Sequence, residues 1–280
     1  MKTQLHADLV EPNPPVGVLA GWRRIWTDFG RYRFLVANFI LRDVRLKYRN
    51  SALGYLWSLL EPLLLSAVYY VLFVIVAGKA DEAYALWVII GVVCWGCFAR
   101  SVNGGVTSLT ANEGLIKQVF FPRSVFAIAK VGSQFLIASL SLFVTVPFMI
   151  YLGIAPTMSL WMVPVGLLML ATLALGLGLS MACLNVVNRD VQHFFAFLMR
   201  AGLYLSPVMW TAEMLPPGPG QYMLLNPMAV PITMIRNGIT GVGLGIDSMY
   251  ITYSAVFCIV ILLVGTMVFQ RYEATVVKKL

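Results

Sequence analysis

The sequence predicts an all-α integral membrane protein: six transmembrane helices after an N-terminal amphipathic interface helix, with short re-entrant helices between spans five and six. Two observations carry this reading. Hydrophobic residues make up 60% of the chain, charged residues only 11%, and mean hydropathy is +0.83. A soluble domain carries about 25% charged residues, and a larger core cannot repair that shortfall, because its surface still needs covering. The apolar residues also fall into runs of about 20, the length that crosses a hydrocarbon core of about 30 Å. The 280 residues therefore hold six spans and leave no room for a sizeable soluble domain.

The first twenty residues lack the apolar run of a signal peptide, and Pro12, Pro14 and Pro15 read as a flexible or extended tail. Trp22, Arg23, Arg24, Trp26, Arg31 and Arg33 suit the headgroup layer of an anionic leaflet. Residues 1–33 are read as a cytoplasmic tail. Phe34–Arg49 then carries two helical stripes. Phe34, Ala37, Leu41, Val44 and Tyr48 form the apolar one, and Asn38, Arg42, Arg45 and Arg49 the polar one. That pattern is an interfacial helix. Asp43 and Lys47 are spaced for an i, i+4 pair.

The spans follow at about Leu56–Ala77, Tyr84–Leu109, Val125–Tyr151, Leu160–Leu184, Phe194–Trp210 and Tyr250–Phe269. Lys and Arg orient them. The N-terminal segment, the loop with Lys117 and Arg123, the loop with Arg189 and the C-terminal tail are basic. The opposite side holds Lys79 and Arg236 against Asp81, Glu82, Glu213 and Asp247. Both termini are therefore expected in the cytoplasm. Thr211–Asp247 is too broken for a span and too apolar for an ordinary loop. It reads as short helices dipping into the outer leaflet, packed on protein or lining a cavity.

Catalytic chemistry is not visible. There is no GxxxxGK[ST] phosphate loop, no G-x-S-x-G and no H-E-x-x-H; the histidines are His6 and His193. Cys94 and Cys97 form a C-x-x-C inside a span, with no second pair to complete a metal site. Glu61, Arg100, Lys130 and Arg200 lie near membrane depth. The three long basic stems are expected to snorkel, whereas Glu61 is expected to pair with a basic group. The deeper aromatics Tyr69, Tyr70, Phe73 and Tyr204 leave two readings open: ring faces lining a conduit for sugars, or lipid-facing packing. With Glu61 and Phe98 they form the candidate conduit set. Gly176, Gly178 and Ser180 allow close helix packing. The loop NEGLIKQVFFPRS, Asn112 to Ser124, is expected to expose Leu115, Ile116, Val119, Phe120 and Phe121 among charges, a docking pattern.

In order, NFILRDVRLKYRNSALGYLWSLLEPLL, NEGLIKQVFFPRS, NVVNRDVQHF, LSPVMWTAEMLP and LNPMAVPITMIRNGI resemble permeases of ABC-2 type transporters that export polysaccharides or polyol phosphates. The resemblance covers residues 34–280 as one transmembrane domain and leaves the leading tail unmatched. It implies a homodimer in a bacterial inner (plasma) membrane, with two copies of a cytoplasmic ABC ATPase. ATP and Mg would sit on that partner and no cofactor on this chain. The substrate implied is a lipid-linked glycan such as O-antigen, teichoic acid or galactan, and no nucleic acid. Coupling to the ATPase would fall to Arg45, Tyr48 and Arg49 on the interface helix and to Glu113, Leu115, Ile116, Lys117, Phe120, Phe121 and Arg123 in the coupling loop. Arg189 and Asp190 would join them. Trp210, Glu213, Asn226, Pro227 and Arg236 would form an outer gate. Ser51–Trp57 would be the hinge between interface helix and conduit wall. An exporter of small drugs or lipids, a membrane-embedded enzyme of glycan assembly and a passive channel are the rival readings.

Overall fold

A computed structural model describes residues 18–76, 84–118, 121–210, 222, 224–243 and 245–277. All regular structure among them is helical: α1 Val18–Arg31, α2 Arg33–Lys47, α3 Trp57–Tyr70, α4 Tyr84–Val106, α5 Glu113–Gln118, α6 Ser124–Leu142, α7 Thr145–Tyr151, α8 Met162–Val187, α9 Asp190–Leu205, α10 Ala229–Thr240 and α11 Ser248–Val277. Four stretches among the described residues are long and apolar enough to cross a membrane: Tyr84–Val106, Ser124–Tyr151, Met158–Val187 and Ser248–Glu273.

The other two expected spans are less regular. α3 carries Pro62 inside it, and from Val71 to Val76 the chain widens into π-helical turns. Proline removes one backbone donor, and π turns are rare widenings within α-helices. α9 has 16 residues, about 24 Å. It stops at Leu205, not at Trp210, because Pro207 follows Ser206 and holds it extended, at φ −97 and ψ 154. The third expected span is broken between α6 and α7 at Phe143–Val144. Pro147 explains the break, since its ring clashes with the carbonyl four residues earlier, that of Phe143.

α8 lies at the centre, packed against α4, α10 and α11. Glycine lets the axes approach. A Cβ on Gly105 of α4 would stand 2.7 Å from Gly178 Cα of α8, and one on Gly176 would stand 2.6 Å from Ile261 O of α11. The small residues expected to permit close packing do so here. Two large clusters carry most of the core. One cluster gathers α4, α8 and α10 around Leu86, Ile90, Leu170 and Ile235. The other joins α2, α6 and the ends of α8 and α11 around Phe39, Phe126, Leu179 and Phe269.

The interface helix differs from its expected pattern. α2 buries Val36, Phe39 and Val44 against α6, whereas Phe34, Ala37 and Leu41 of the expected stripe are exposed. Apolar residues thus occupy two faces, and packing on α6 selects the one that Gly132 receives: a Cβ there would stand 2.6 Å from Ile40 Cδ1. The expected Asp43–Lys47 pair does not form. Asp43 instead accepts from Lys130 Nζ on α6 at 2.7 Å and from Arg42 Nη2 at 3.0 Å. Lys130 therefore ties two helices together and does not snorkel. Residues 18–31, read as tail, form α1, which packs on α11 with Ile25 buried.

Candidate functional site

Functional side chains collect at the two ends of α4. Its Val106 end leads to α5 and to the turn before α9. Asn185 is fully buried there; it donates to Thr110 Oγ1 at 3.4 Å and accepts from the Gln192 backbone N–H at 3.2 Å. One amide thus holds both docking candidates together. Glu113 and Lys117 pair across one turn of α5 at 2.6 Å, and that hydrogen bond holds the Glu113 carboxyl below its ordinary pKa. Lys117, Arg189 and Asp190 are exposed. Arg45 and Arg49 line an open groove of about 660 Å³ along the outer side of α2 with Asn38, Leu41, Arg42, Leu46 and Tyr55.

Three expected docking residues point inward. Phe121 is 7% exposed and packs on Phe39 and Phe126, with ring centroids 6.1 and 5.3 Å away. Ile116 is buried in the same cluster, with Leu115 half-buried against it. Tyr48 is 7% exposed and stacks at 5.0 Å on Tyr55. The physical reason is that α5 is too short to bury a face by itself and settles its apolar residues on α2 and α6. Phe120 lies outside the described residues. Arg123 pairs with Glu273 of α11 at 3.8 Å, and its backbone N–H donates to the same carboxylate at 3.3 Å, so it anchors the loop's exit inside the subunit.

Between this end and the middle of α4 lies a second group. Glu61 of α3 stands 3.6 Å from Arg100 Nη1 of α4, and Arg100 Nε donates to Gln134 Oε1 of α6 at 3.2 Å. The basic partner expected for Glu61 is thus Arg100. Arg200 donates to Ala196 O of its own helix at 3.3 Å, and its surroundings are exposed. Among the candidate conduit residues, Tyr70 and Tyr204 are exposed, Tyr204 at 66%. Tyr69 and Phe98 are buried within the subunit, Phe98 against Trp95 at a centroid distance of 5.7 Å. The Phe73 side chain lies outside the described set. Cys94 and Cys97 are buried, and no three His, Cys, Asp or Glu gather as a metal ion requires among the described residues.

The Tyr84 end of α4 meets α10. Arg236 is 5% exposed and donates to three carbonyls from two other segments: Trp87 at 3.1 Å, Trp210 at 3.4 Å and Val208 at 2.6 Å. Gly91 makes the room, since a Cβ there would stand 2.6 Å from Arg236 Nη2. Asn226 donates to Leu205 O and Ser206 Oγ, both at 3.1 Å, and accepts from the Met228 backbone N–H at 2.9 Å. Pro227 O accepts from Ser254 of α11 at 3.4 Å, and Trp210 Nε1 donates to Tyr204 O at 3.2 Å. Trp210, Asn226, Pro227 and Arg236 are therefore brought together, whereas Glu213 lies outside the described residues. Sequence reasoning missed Tyr84, whose hydroxyl donates to Met209 O at 3.1 Å in the same knot. It also missed Gln134 beside Glu61, because a single polar residue in an apolar run has no local pattern to mark it, and it gave Lys47 to Asp43 because helical spacing alone offered that pair.

Known proteins resemble the chain over most of this architecture. It is 28% identical to O-antigen export system permease protein RfbA of Klebsiella pneumoniae over 233 residues, 83% of this chain and 89% of that protein. Against RfbA of Myxococcus xanthus the identity is 30% over 216 residues, 75% of this chain and 82% of the relative. Polysialic acid transport protein KpsM of Escherichia coli is 22% identical over 258 residues, 88% of this chain and 96% of that protein. The ABC-2 type transporter family model matches residues 36–240, which runs from the interface helix through all four membrane-long stretches but the last and ends at the close of α10. The interface helix, the α4–α8 crossing and the Arg236 knot are thus parts of an ABC-2 type transporter membrane domain, and the chain belongs to that family.

Proposed function

We propose that this chain is the permease subunit of an ATP-driven exporter that moves a lipid-linked polysaccharide or polyol-phosphate polymer out across a bacterial inner membrane. The observation that carries the reading is likeness along most of the chain to permeases named for O-antigen and polysialic acid. Energy comes from two copies of a separate ABC ATPase that hold ATP and Mg. They dock on the exposed charges Lys117, Arg189 and Asp190 and on the Arg45–Arg49 face of α2. Both termini are cytoplasmic, and α3 and α9 complete six spans, with α10 re-entering from the outer side.

The chain acts as a homodimer. α3, the π-helical turns after it and α9 leave Leu64, Val68, Leu72, Phe194, Phe197 and Leu205 exposed, with Tyr70 and Tyr204. Two copies facing each other through these helices enclose a conduit that one cannot, and the tyrosine rings offer faces for sugar C–H bonds. The knot around Arg236 closes its outer end.

The test is reconstitution of the permease with its ATPase in proteoliposomes. ATP-dependent appearance of a lipid-linked glycan on the far side is the expected result. Transport of a small lipid or drug with no response to glycan would replace this reading with the drug-exporter one. Glycan crossing without ATP would leave a passive channel.

A further inference from the structure

Four helices bring charge and polarity to one small cavity. Lys47 at the end of α2, Glu61 of α3 and Arg100 of α4 line about 110 Å³ of space, with Ser58, Trp95 and Ser141 among its walls. Two cations face one carboxylate, so the cavity carries net positive charge. The single acid does not satisfy Arg100. Glu61 Oε1 is 3.6 Å from Nη1, beyond the 2.7–2.9 Å of a charge-assisted hydrogen bond. Among the described residues, the hydrogen bond Arg100 makes is from Nε to Gln134. Gly96 lets the guanidinium lie close against α4, since a Cβ there would sit 3.0 Å from Nη1. Burial and the Arg100 cation hold Lys47 below the usual lysine range, with Glu61 opposing them.

We propose that the Lys47–Glu61–Arg100 cavity is a subsite for one phosphate ester, with the two cations as its donors. Size selects the group. The volume falls well below the roughly 300 Å³ at which drug-sized sites begin, so a phosphate fits and a sugar chain does not. Glu61 holds the place when the site is empty and is displaced from Arg100 by the phosphate. The source of that phosphate rests on the exporter reading: the ester that joins lipid and glycan, held while sugars lie along the conduit. A membrane phospholipid presents the same chemistry.

The experiment uses the permease–ATPase complex in nanodiscs of neutral phosphatidylcholine. Binding of hexadecyl phosphate is compared with hexadecanol, and competition by phosphatidylglycerol and by a lipid-linked glycan phosphate is measured in separate arms. Hexadecyl phosphate is expected to bind and hexadecanol not. Lys47→Gln and Arg100→Gln each weaken phosphate binding by roughly tenfold, and Glu61→Gln strengthens it severalfold. The strengthening separates the proposal from a merely structural ion pair, which Glu61→Gln and Arg100→Gln would both harm, and misfolding cannot produce it. Competition by the glycan phosphate assigns the site to substrate; competition by phosphatidylglycerol alone overturns the substrate source. Equal binding of phosphate and alcohol, or weakening in Glu61→Gln, overturns the subsite. ATP-driven glycan export by the wild-type complex is scored in parallel, so loss of the subsite leaves the exporter reading standing, and absence of export refutes that reading separately.

Discussion

Breaking the ion pair that fastens the interface helix to α6 is the sharpest test of the fold. Lys130 Nζ lies 2.7 Å from Asp43 Oδ2, with side-chain exposures of 29% and 9%. At that separation, 2.7 Å, an effective dielectric of about 20 gives roughly 6 kcal/mol of attraction. Desolvation and lost side-chain freedom cancel most of it, and the partly exposed ammonium is screened further. A net coupling of about 2 kcal/mol remains, within the range of contacting pairs. Asp43→Asn leaves two cations, Lys130 and Arg42, without their carboxylate. Its melting temperature is expected to fall by roughly 4–8 °C, at about 2–4 °C per kcal/mol. Lys130→Met loses a similar amount, and the double variant loses little more than either single one. The assay is a double-mutant cycle on detergent-solubilised protein. Additive losses, with coupling under about 0.3 kcal/mol, would refute the claim that this pair fastens α2.

Gly176→Ala must push α8 from α11, because the new Cβ would meet Ile261 O at 2.6 Å and the backbone cannot yield. Its cost is about 1–3 kcal/mol in a melting experiment, whereas Gly114→Ala, with nothing within 4 Å, is expected to be neutral or slightly stabilising. Arg236→Met strips the guanidinium from three carbonyls and lowers stability by about 2–4 kcal/mol. Arg236→Lys recovers only part, since one ammonium cannot reach Trp87, Val208 and Trp210 together, and full recovery in thermal melts would refute that geometry. Phe121→Asp is expected to abolish folded protein by size-exclusion chromatography, because it puts a charge among Phe39 and Phe126. Lys117→Glu keeps the melting temperature and reduces co-purification of the ATPase; unchanged co-purification would remove α5 from the docking surface.

Much of the fold was legible from α4, α8 and α11. Each carries a long apolar run, and hydropathy reads such runs directly. Proline punctuation set the rest. Pro207 ends α9 and Pro147 splits the third expected span, signals present in the sequence but outweighed there by the apolar run around them. The apolar stripe of the interface helix was misread at Phe34, Ala37 and Leu41, which are exposed, while Val44 and Tyr48 of the same stripe are buried. Periodicity cannot choose between two apolar stripes on α2 when the deciding contact is Gly132 on a helix about ninety residues further on.

The candidate site divides in the same way. Trp210, Asn226, Pro227 and Arg236 were placed in one group from their segment, and the structure adds the carbonyls that hold them. Phe121 was read as exposed because a short loop has nowhere local to bury a ring, and Tyr48 was placed only on the apolar stripe and among the coupling residues. Tertiary packing supplied the place.

The sequence by itself determined the membrane class, the order of helices and the position of the loop at Asn112–Ser124, because each depends on hydrophobicity counted along neighbouring residues. Only the tertiary structure decided which charges meet. Asp43 chose Lys130 over Lys47, and Glu61, Arg100 and Lys47 came to share one cavity. The reason is electrostatic: in a low-dielectric interior a charge takes whichever partner the packing brings within reach, and helices far apart in the chain supply it.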